Sequence, residues 1–340
     1  MASLTTKPKL AVILGTMTFG YRGMTMRINN LNTVQSILEA FKAQGWNELD
    51  TARMYCDGTT EEMLGQLEAQ NKGGFKLATK GKPILQTYDL VYPMQGGEHQ
   101  PEKLKELFKE SLTALKVNKV DIFYLHAPDH TTPIELTLGA VQELYQAGHF
   151  TEFGLSNYSS WQVADIYHIC KSKGYVLPTV YQGMYNAITR GVEAELLPCL
   201  RKFNIRFYAY NPIAGGLFKE HFSFDGDVPK GSRFDPNTVV GKMYRSRYVT
   251  PAHAKAVANI QQATASHGYS AIEAAFRWIR HHSKLDAAFG DGVIIGGSSL
   301  EHIVSACQLL DKEEPLEEDV VEALDAGWKT VMASSVPYFR

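Results

Sequence analysis

Short apolar runs alternate with amphipathic stretches along most of the chain. Ala11-Val12-Ile13-Leu14, ended by Gly15, reads as a strand. Asn30 or Asn32 can cap a following helix with Val34, Ile37, Leu38 and Phe41 on one face, stopped at Gly45. Leu49 closes a second short strand, and a helix from about Thr60 carries Met63, Leu64 and Leu67. Phe75–Lys80 is the third strand, followed by a Gly/Pro-rich loop and a helix from Pro101, a residue suited to a first helical turn. Val120–His126 is the fourth strand, with a helix from Ile134 to Tyr145. Phe153–Ser156 is the fifth, with Ser159 capping a helix to about Lys173. Thr179–Gln182 and Ile205–Tyr210 flank a helix from Val192 to Phe203. The rhythm breaks from Asn211 to Thr250, where periodicity is weak and Phe218, Phe222, Phe224 and Phe234 cluster. A stretch this long suggests a lid or binding loop, and its aromatics argue against disorder. Helices from Ala252 and Ala271, a last strand Gly292–Ile295, a helix from about Ser299 and one ending near Trp328 complete the pattern.

Eight strands, nearly all followed by a helix and mostly apolar throughout, predict a (β/α)₈ barrel in one domain spanning 1–340. A doubly wound open sheet is the competing arrangement. In a barrel, the carboxyl ends of the strands converge on one mouth. The polar residues ending the runs are Asp50, Lys80, His126, Ser156 with Asn157, Gln182 and Tyr210. An ammonium closing an apolar strand needs a partner, and Asp50 on the neighbouring strand can supply it. Tyr55 lies five residues beyond Asp50; near Lys80 its phenolate would be favoured, and His126 could bond an oxygen being protonated. That set can give a proton to a carbonyl oxygen while something else delivers hydride. Taken singly, each has a plainer role: Asp50 as a turn cap, Tyr55 as packing, Lys80 as an ordinary strand-end lysine.

Composition narrows the function class. The 340 residues carry a formal charge of −2, which leaves no electrostatic footprint for nucleic acid or an anionic membrane. Four cysteines without paired spacing suggest reduced thiols in the cytoplasm. The first residues lack the apolar core of a signal peptide, and no apolar run is long enough to cross a bilayer. Pro128 breaks the turn that would pair His126 with His130, so no metal site is expected. Gly290-Asp291-Gly292 opens a strand rather than following one, which argues against a dinucleotide fingerprint.

Asp50-Thr51-Ala52 with Tyr55, Lys80, His126 before Pro128-Asp129, Gly154-Leu155-Ser156-Asn157 and Gln182 together resemble the aldo-keto reductases, in order and over nearly the whole chain. Met54-Tyr55-Cys56-Asp57-Gly58, Tyr208-Ala209-Tyr210-Asn211-Pro212, Gly215-Gly216-Leu217, Tyr244-Arg245-Ser246-Arg247 and the ending Tyr338-Phe339-Arg340 resemble the aflatoxin-aldehyde and succinic-semialdehyde reductase subfamily. The resemblance implies a catalytic tetrad of Asp50, Tyr55, Lys80 and His126, with Tyr55 as proton donor and NADPH/NADP+ as cofactor. It implies that Ser156, Asn157 and Gln182 hold the carboxamide and that Tyr210 stacks on the nicotinamide. The long loop, with Asn211, Pro212, Gly216, Leu217 and Arg233, would fold over the pyrophosphate. Gly296, Ser298, Ser299 and His302 would hold the adenosine 2′-phosphate at a helix start, which offers free N–H groups. Other branches of the family place Lys and Arg there, and Ala306 stands where an Asn is usual. His126, Tyr244, Arg247 and, under a C-terminal tail laid over the mouth, Arg340 would meet a small aldehyde, an acid-bearing one suiting an Arg fork. The subfamily also points toward a homodimer. The alternative is a channel-associated β-subunit with vestigial chemistry, a class that often carries an N-terminal extension, whereas here the first strand begins near Leu10.

Overall fold

The strands alternate between two environments, and that alternation builds the site. In a computed structural model of the protein, residues 9–81, 97–220, 222–224, 226 and 228–340 are described. The Gly/Pro-rich loop expected after the third strand and the first eight residues lie outside the described residues. Eight parallel strands close into a barrel in the order β1 (Ala11–Gly15), β2 (Glu48–Asp50), β3 (Lys76–Gly81), β4 (Val120–Leu125), β5 (Phe150–Ser156), β6 (Pro178–Met184), β7 (Arg206–Tyr210) and β8 (Gly292–Ile295), with β8 pairing back to β1. The open sheet is thereby excluded.

Leu49, Leu77, Phe123, Leu155 and Phe207 point outward into the main core beneath the helices. Their neighbours Ile13, Ala78, Ile122, Tyr124, Val180, Tyr208 and Ile294 fill the barrel interior. The period of two therefore turns Glu48 and Asp50 inward on either side of Leu49. The interior also holds charge: Arg206 donates to both oxygens of Glu152, at 2.6 and 3.1 Å, and its Nε donates to the Tyr208 hydroxyl at 3.2 Å. Tyr208 in turn donates to Glu48 at 3.4 Å. Burial raises the Glu48 carboxyl to about 7, against an opposing pull from Arg206.

The helices follow the apolar periodicity. Asn30, not Asn32, caps α1 (Leu31–Ala43), accepting from the Thr33 N–H. α2 (Thr59–Gln66), α3 (Pro101–Leu115) and α4 (Ile134–Gln146) follow, and Ser159 with Gln162 forms a capping box on α5 (Ser160–Lys173). α6 (Leu196–Lys202) starts later than its apolar pattern suggests, because 191–195 form turns. The loop after β7 departs most from expectation. It contains α7 (Val239–Tyr248), capped by Thr238, which accepts from the Gly241 N–H. α7 is short and carries three cationic residues, so its periodicity is faint in the sequence. α8 (Pro251–Ala265), α9 (Ala271–His281), α10 (Leu300–Asp311) and α11 (Glu318–Val331) complete the shell. Among the described residues no helix is long and apolar enough to cross a membrane.

Candidate active site

Lys80, next to last in β3, faces inward and is fully buried, as is most of Asp50. Its ammonium reaches both oxygens of the Asp50 carboxylate, at 2.7 and 2.8 Å, and donates to the Thr51 carbonyl at 2.8 Å. It also donates to the Tyr55 hydroxyl at 3.3 Å. Burial pulls the lysine below its ordinary range, and Asp50 pushes back. Gln182 on β6 donates to the remaining face of Asp50 at 2.7 Å. Tyr55 opens a tight turn in which Cys56 and Asp57 both take positive φ, 48° and 53°. The His126 ring meets the Tyr55 ring edge-on at 6.0 Å between centroids. The four residues expected to act together thus share one mouth. A second buried cluster braces the loop: Arg53 donates to the Gly58 carbonyl and to Glu61, while Thr79, next to Lys80, donates to the other Glu61 oxygen.

Asn157, at φ 63°, organises the opposite wall. Its side-chain N–H groups donate to the His126 carbonyl at 2.8 Å and the Ser156 hydroxyl at 3.0 Å, and its side-chain oxygen accepts from Tyr210 at 3.0 Å. Its backbone carbonyl accepts from the N–H of Arg340 at 3.0 Å. The tail is pinned there by Tyr338, whose hydroxyl accepts from the Ser160 N–H at 3.0 Å and donates to Glu195.

A cavity of about 1470 Å³ opens between these walls and the loop after β7. Such a volume exceeds that of most small-ligand pockets and suits an extended ligand with a second molecule beside it. On the loop side, two guanidinium groups lie near Tyr244: Arg233 is 5.3 Å and Arg247 5.8 Å from the ring centroid, and Arg233 donates to its hydroxyl at 3.3 Å. The one-turn spacing of Tyr244 and Arg247 in α7 makes this arrangement possible. Asn211 lines the same space at φ 64°, donating to the Tyr248 hydroxyl at 2.7 Å, while its side-chain oxygen is buried and has no hydrogen-bond partner among the described residues.

Residues 11–329 match the model of the Aldo/keto reductase family. The chain belongs to that family. It is 44% identical over 340 residues to aflatoxin B1 aldehyde reductase member 2 of Mus musculus, a match covering 97% of this chain and 88% of that protein. Aldo-keto reductase family 7 member A3 of Homo sapiens is 42% identical over 350 residues, with all of both chains covered. A glycerol dehydrogenase from Gluconobacter oxydans shares the fold at a TM-score of 0.70 and 23% identity, covering 96% of this chain and 92% of that one.

Most of the anticipated positions in this aldo/keto reductase surround the cavity: Asp50, Tyr55, His126, Ser156, Asn157, Gln182 and Tyr210 at the strand ends; Asn211, Pro212, Gly216, Arg233, Tyr244 and Arg247 on the long loop; Gly296, Ser298 and His302 after β8; and Arg340. Three do not. Lys80 sits behind the wall, reaching Tyr55 from beneath. Leu217 is fully buried in the main core, because the turn at Gly215 and Gly216 directs it inward. Ser299 caps α10, its hydroxyl accepting from the His302 N–H at 3.3 Å, and stays off the cavity surface. Sequence reasoning missed Thr25, Arg27, Lys219 and Lys230, all on the cavity. They lie in stretches with no periodicity, where nothing in the sequence says which way a side chain faces.

Proposed function

We propose that this enzyme reduces aldehydes to alcohols with NADPH, Tyr55 giving the proton. The observation that carries the reading is the buried Lys80 ammonium, held by Asp50 and 3.3 Å from the Tyr55 hydroxyl. Bound NADPH would supply the hydride. The protein's part is to place a carbonyl oxygen against Tyr55 and to stabilise the phenolate left after proton transfer. An ammonium that close, in a buried setting, favours that phenolate strongly. Asp50 keeps Lys80 charged, and His126 stands beside Tyr55 to bond the same carbonyl oxygen. The names of the relatives, aflatoxin B1 aldehyde reductases among them, support aldehydes as the substrate class.

The residues present fit the cofactor. A carboxamide needs one donor and one acceptor, and among the described residues the Ser156 hydroxyl hydrogen and the Gln182 side-chain oxygen are uncommitted. The buried Asn211 oxygen, without a partner among the described residues, is a further point on the cavity wall for a ligand donor. Arg27, Arg233 and Lys230 give the cavity the positive lining a polyphosphate requires. On the substrate side, Arg247 and Arg340 favour a small aldehyde with a distal acid group, succinic semialdehyde being the first to try. Four free thiols suit a reducing compartment, and we place the enzyme in the cytoplasm.

The test follows NADPH consumption across aldehydes, dicarbonyls and ketones, for the native chain and Tyr55→Phe. The variant keeps the ring and loses the donor, so turnover should fall about 10²–10⁴-fold with NADPH binding retained. Near-native turnover by Tyr55→Phe would remove Tyr55 from the role, and no turnover of any carbonyl by the native chain would overturn the reading.

A further inference from the structure

We propose that Lys219, on the loop after β7, supplies the cation that holds the adenosine 2′-phosphate and sets the preference for NADPH over NADH. This rests on the NADPH reading above. The helix expected to receive that phosphate, α10, contains no Lys or Arg over Leu300–Asp311 and carries Glu301 in its first turn. Around its start stand Ser298, whose hydroxyl lies 3.3 Å from His302 Nδ1, and the His302 imidazole. A dianion there would have two neutral partners and the helix N–H groups, with a carboxylate close by. A full positive charge must come from another element.

Lys219 is that charge. It lines the same cavity as Ser298, His302 and Ala306, although it lies 79 to 87 residues earlier in the chain. Its stem passes over Gly216, where an added Cβ would stand 3.5 Å from Lys219 Cε. Its backbone is held at both ends: its N–H donates to the Gly216 carbonyl at 3.3 Å, and its own carbonyl accepts from Gln261 at 3.1 Å. Its ammonium is near enough to His302 to disfavour protonation of that imidazole, second only to burial, while Glu301 acts the other way. Among the described residues, no hydrogen bond or ion pair engages the Lys219 ammonium. Glu220 also lines the cavity, yet among the ion pairs of the described residues none joins it to Lys219. Burial and the nearby ammonium hold the His302 imidazole toward its neutral form, so the full charge on this side of the cavity is that of Lys219, and the ring is left to offer a hydrogen bond. A 2′-phosphate satisfies both, and NADH, which has a hydroxyl at that position, gains nothing from Lys219.

The experiment measures dissociation constants for NADPH and NADH by quenching of intrinsic tryptophan fluorescence, in the native chain, Lys219→Met, Lys219→Arg and Glu220→Gln. Adenosine 2′,5′-bisphosphate and 5′-AMP serve as fragments that isolate the phosphate. Lys219 is exposed, so the substitution leaves the core untouched. Lys219→Met should weaken NADPH and the bisphosphate about tenfold while NADH and 5′-AMP stay within about twofold; Lys219→Arg should keep most of the preference, and Glu220→Gln should not reduce it. Equal changes for both cofactors in Lys219→Met, or none, would overturn the assignment of Lys219 and leave the NADPH reading standing. Failure of the native chain to bind NADPH at all would overturn both.

Discussion

Replacing Asp50 by Asn removes one charge and almost no volume. It tests whether the Lys80 ammonium is what the site depends on. In the native chain the ammonium is enclosed by Asp50 at 2.7 and 2.8 Å, the Thr51 carbonyl at 2.8 Å and the Tyr55 hydroxyl at 3.3 Å. Asn can still accept from Gln182 and from Lys80, so the hydrogen-bond pattern survives while the charge balance does not. Stranding one member of a buried ion pair costs about 3–5 kcal/mol. The protein can meet that cost in two ways: it can lose that much stability, or it can let Lys80 give up its proton.

Discharge is favoured, because burial already pulls Lys80 down and Asp50 is the main influence holding it up. Tyr55 then loses the charge that stabilises its phenolate, and turnover at neutral pH should fall by about 10²–10³-fold. Acid would return the proton to Lys80, so the variant's turnover should rise with falling pH more steeply than the native enzyme's. The assay is steady-state reduction of one uncharged aldehyde across pH 5 to 9, alongside denaturant unfolding. Asp50→Asn/Lys80→Met should recover most of the stability and none of the turnover. A variant with native stability and a native pH profile would refute the reasoning, since it would mean that Lys80 holds its charge without Asp50.

Arg247→Met and Arg340→Met, assayed on succinic semialdehyde and on an uncharged aldehyde of similar length, should each lower kcat/KM about 10–150-fold on the acid alone; equal losses on both substrates would mean that the arginines hold α7 and the tail instead. Glu48 gives a pH prediction away from the site. Its folded carboxyl sits at about 7, above the unfolded value, so the folded chain binds this proton more tightly and stability falls as pH rises through that range. Glu48→Gln should flatten the fall in unfolding free energy between pH 5 and pH 8, by about 3 kcal/mol at most, as read by denaturant unfolding; an unchanged slope would remove Glu48 as its source.

The strand ends were legible because a buried parallel strand leaves a plain signature: an apolar run that stops at a polar residue. Asp50, Lys80, His126, Ser156 and Gln182 each end such a run, and barrel closure brings them to one mouth regardless of the connecting loops. The inward turn of Asp50 follows from its parity with Glu48 across Leu49. Side chains carried on loops obey no such period. Arg27 donates to the Met24 and Met26 carbonyls at 3.1 and 2.6 Å, contacts fixed by a local turn that no spacing rule encodes. Lys219 faces the cavity because Gly215 and Gly216 adopt positive φ just before it, and two adjacent glycines permit many other paths. α7 was hidden for a third reason: its stability comes from burying Tyr244, Arg247 and Tyr248 against the rest of the loop, and buried arginine reads as polar in any hydropathy pattern.

The chain end adds a coupling that the sequence does not display. Arg340 was expected to meet substrate and Asn157 to meet cofactor, as separate tasks. The N–H of Arg340 donates to the Asn157 carbonyl, and the Asn157 side chain ties Ser156, Tyr210 and the His126 carbonyl together. A left-handed residue with its backbone and side chain both engaged cannot shift without moving all of its partners. The position of the tail is therefore not independent of the wall beside the proposed proton donor. The same logic holds across the cavity, where Tyr244 has both Arg233 and Arg247 against its ring. A loop that closed over a cofactor through Arg233 would move the ring against which Arg247 rests. Binding at one half of the cavity would then set the geometry of the other, through contacts already present in the chain.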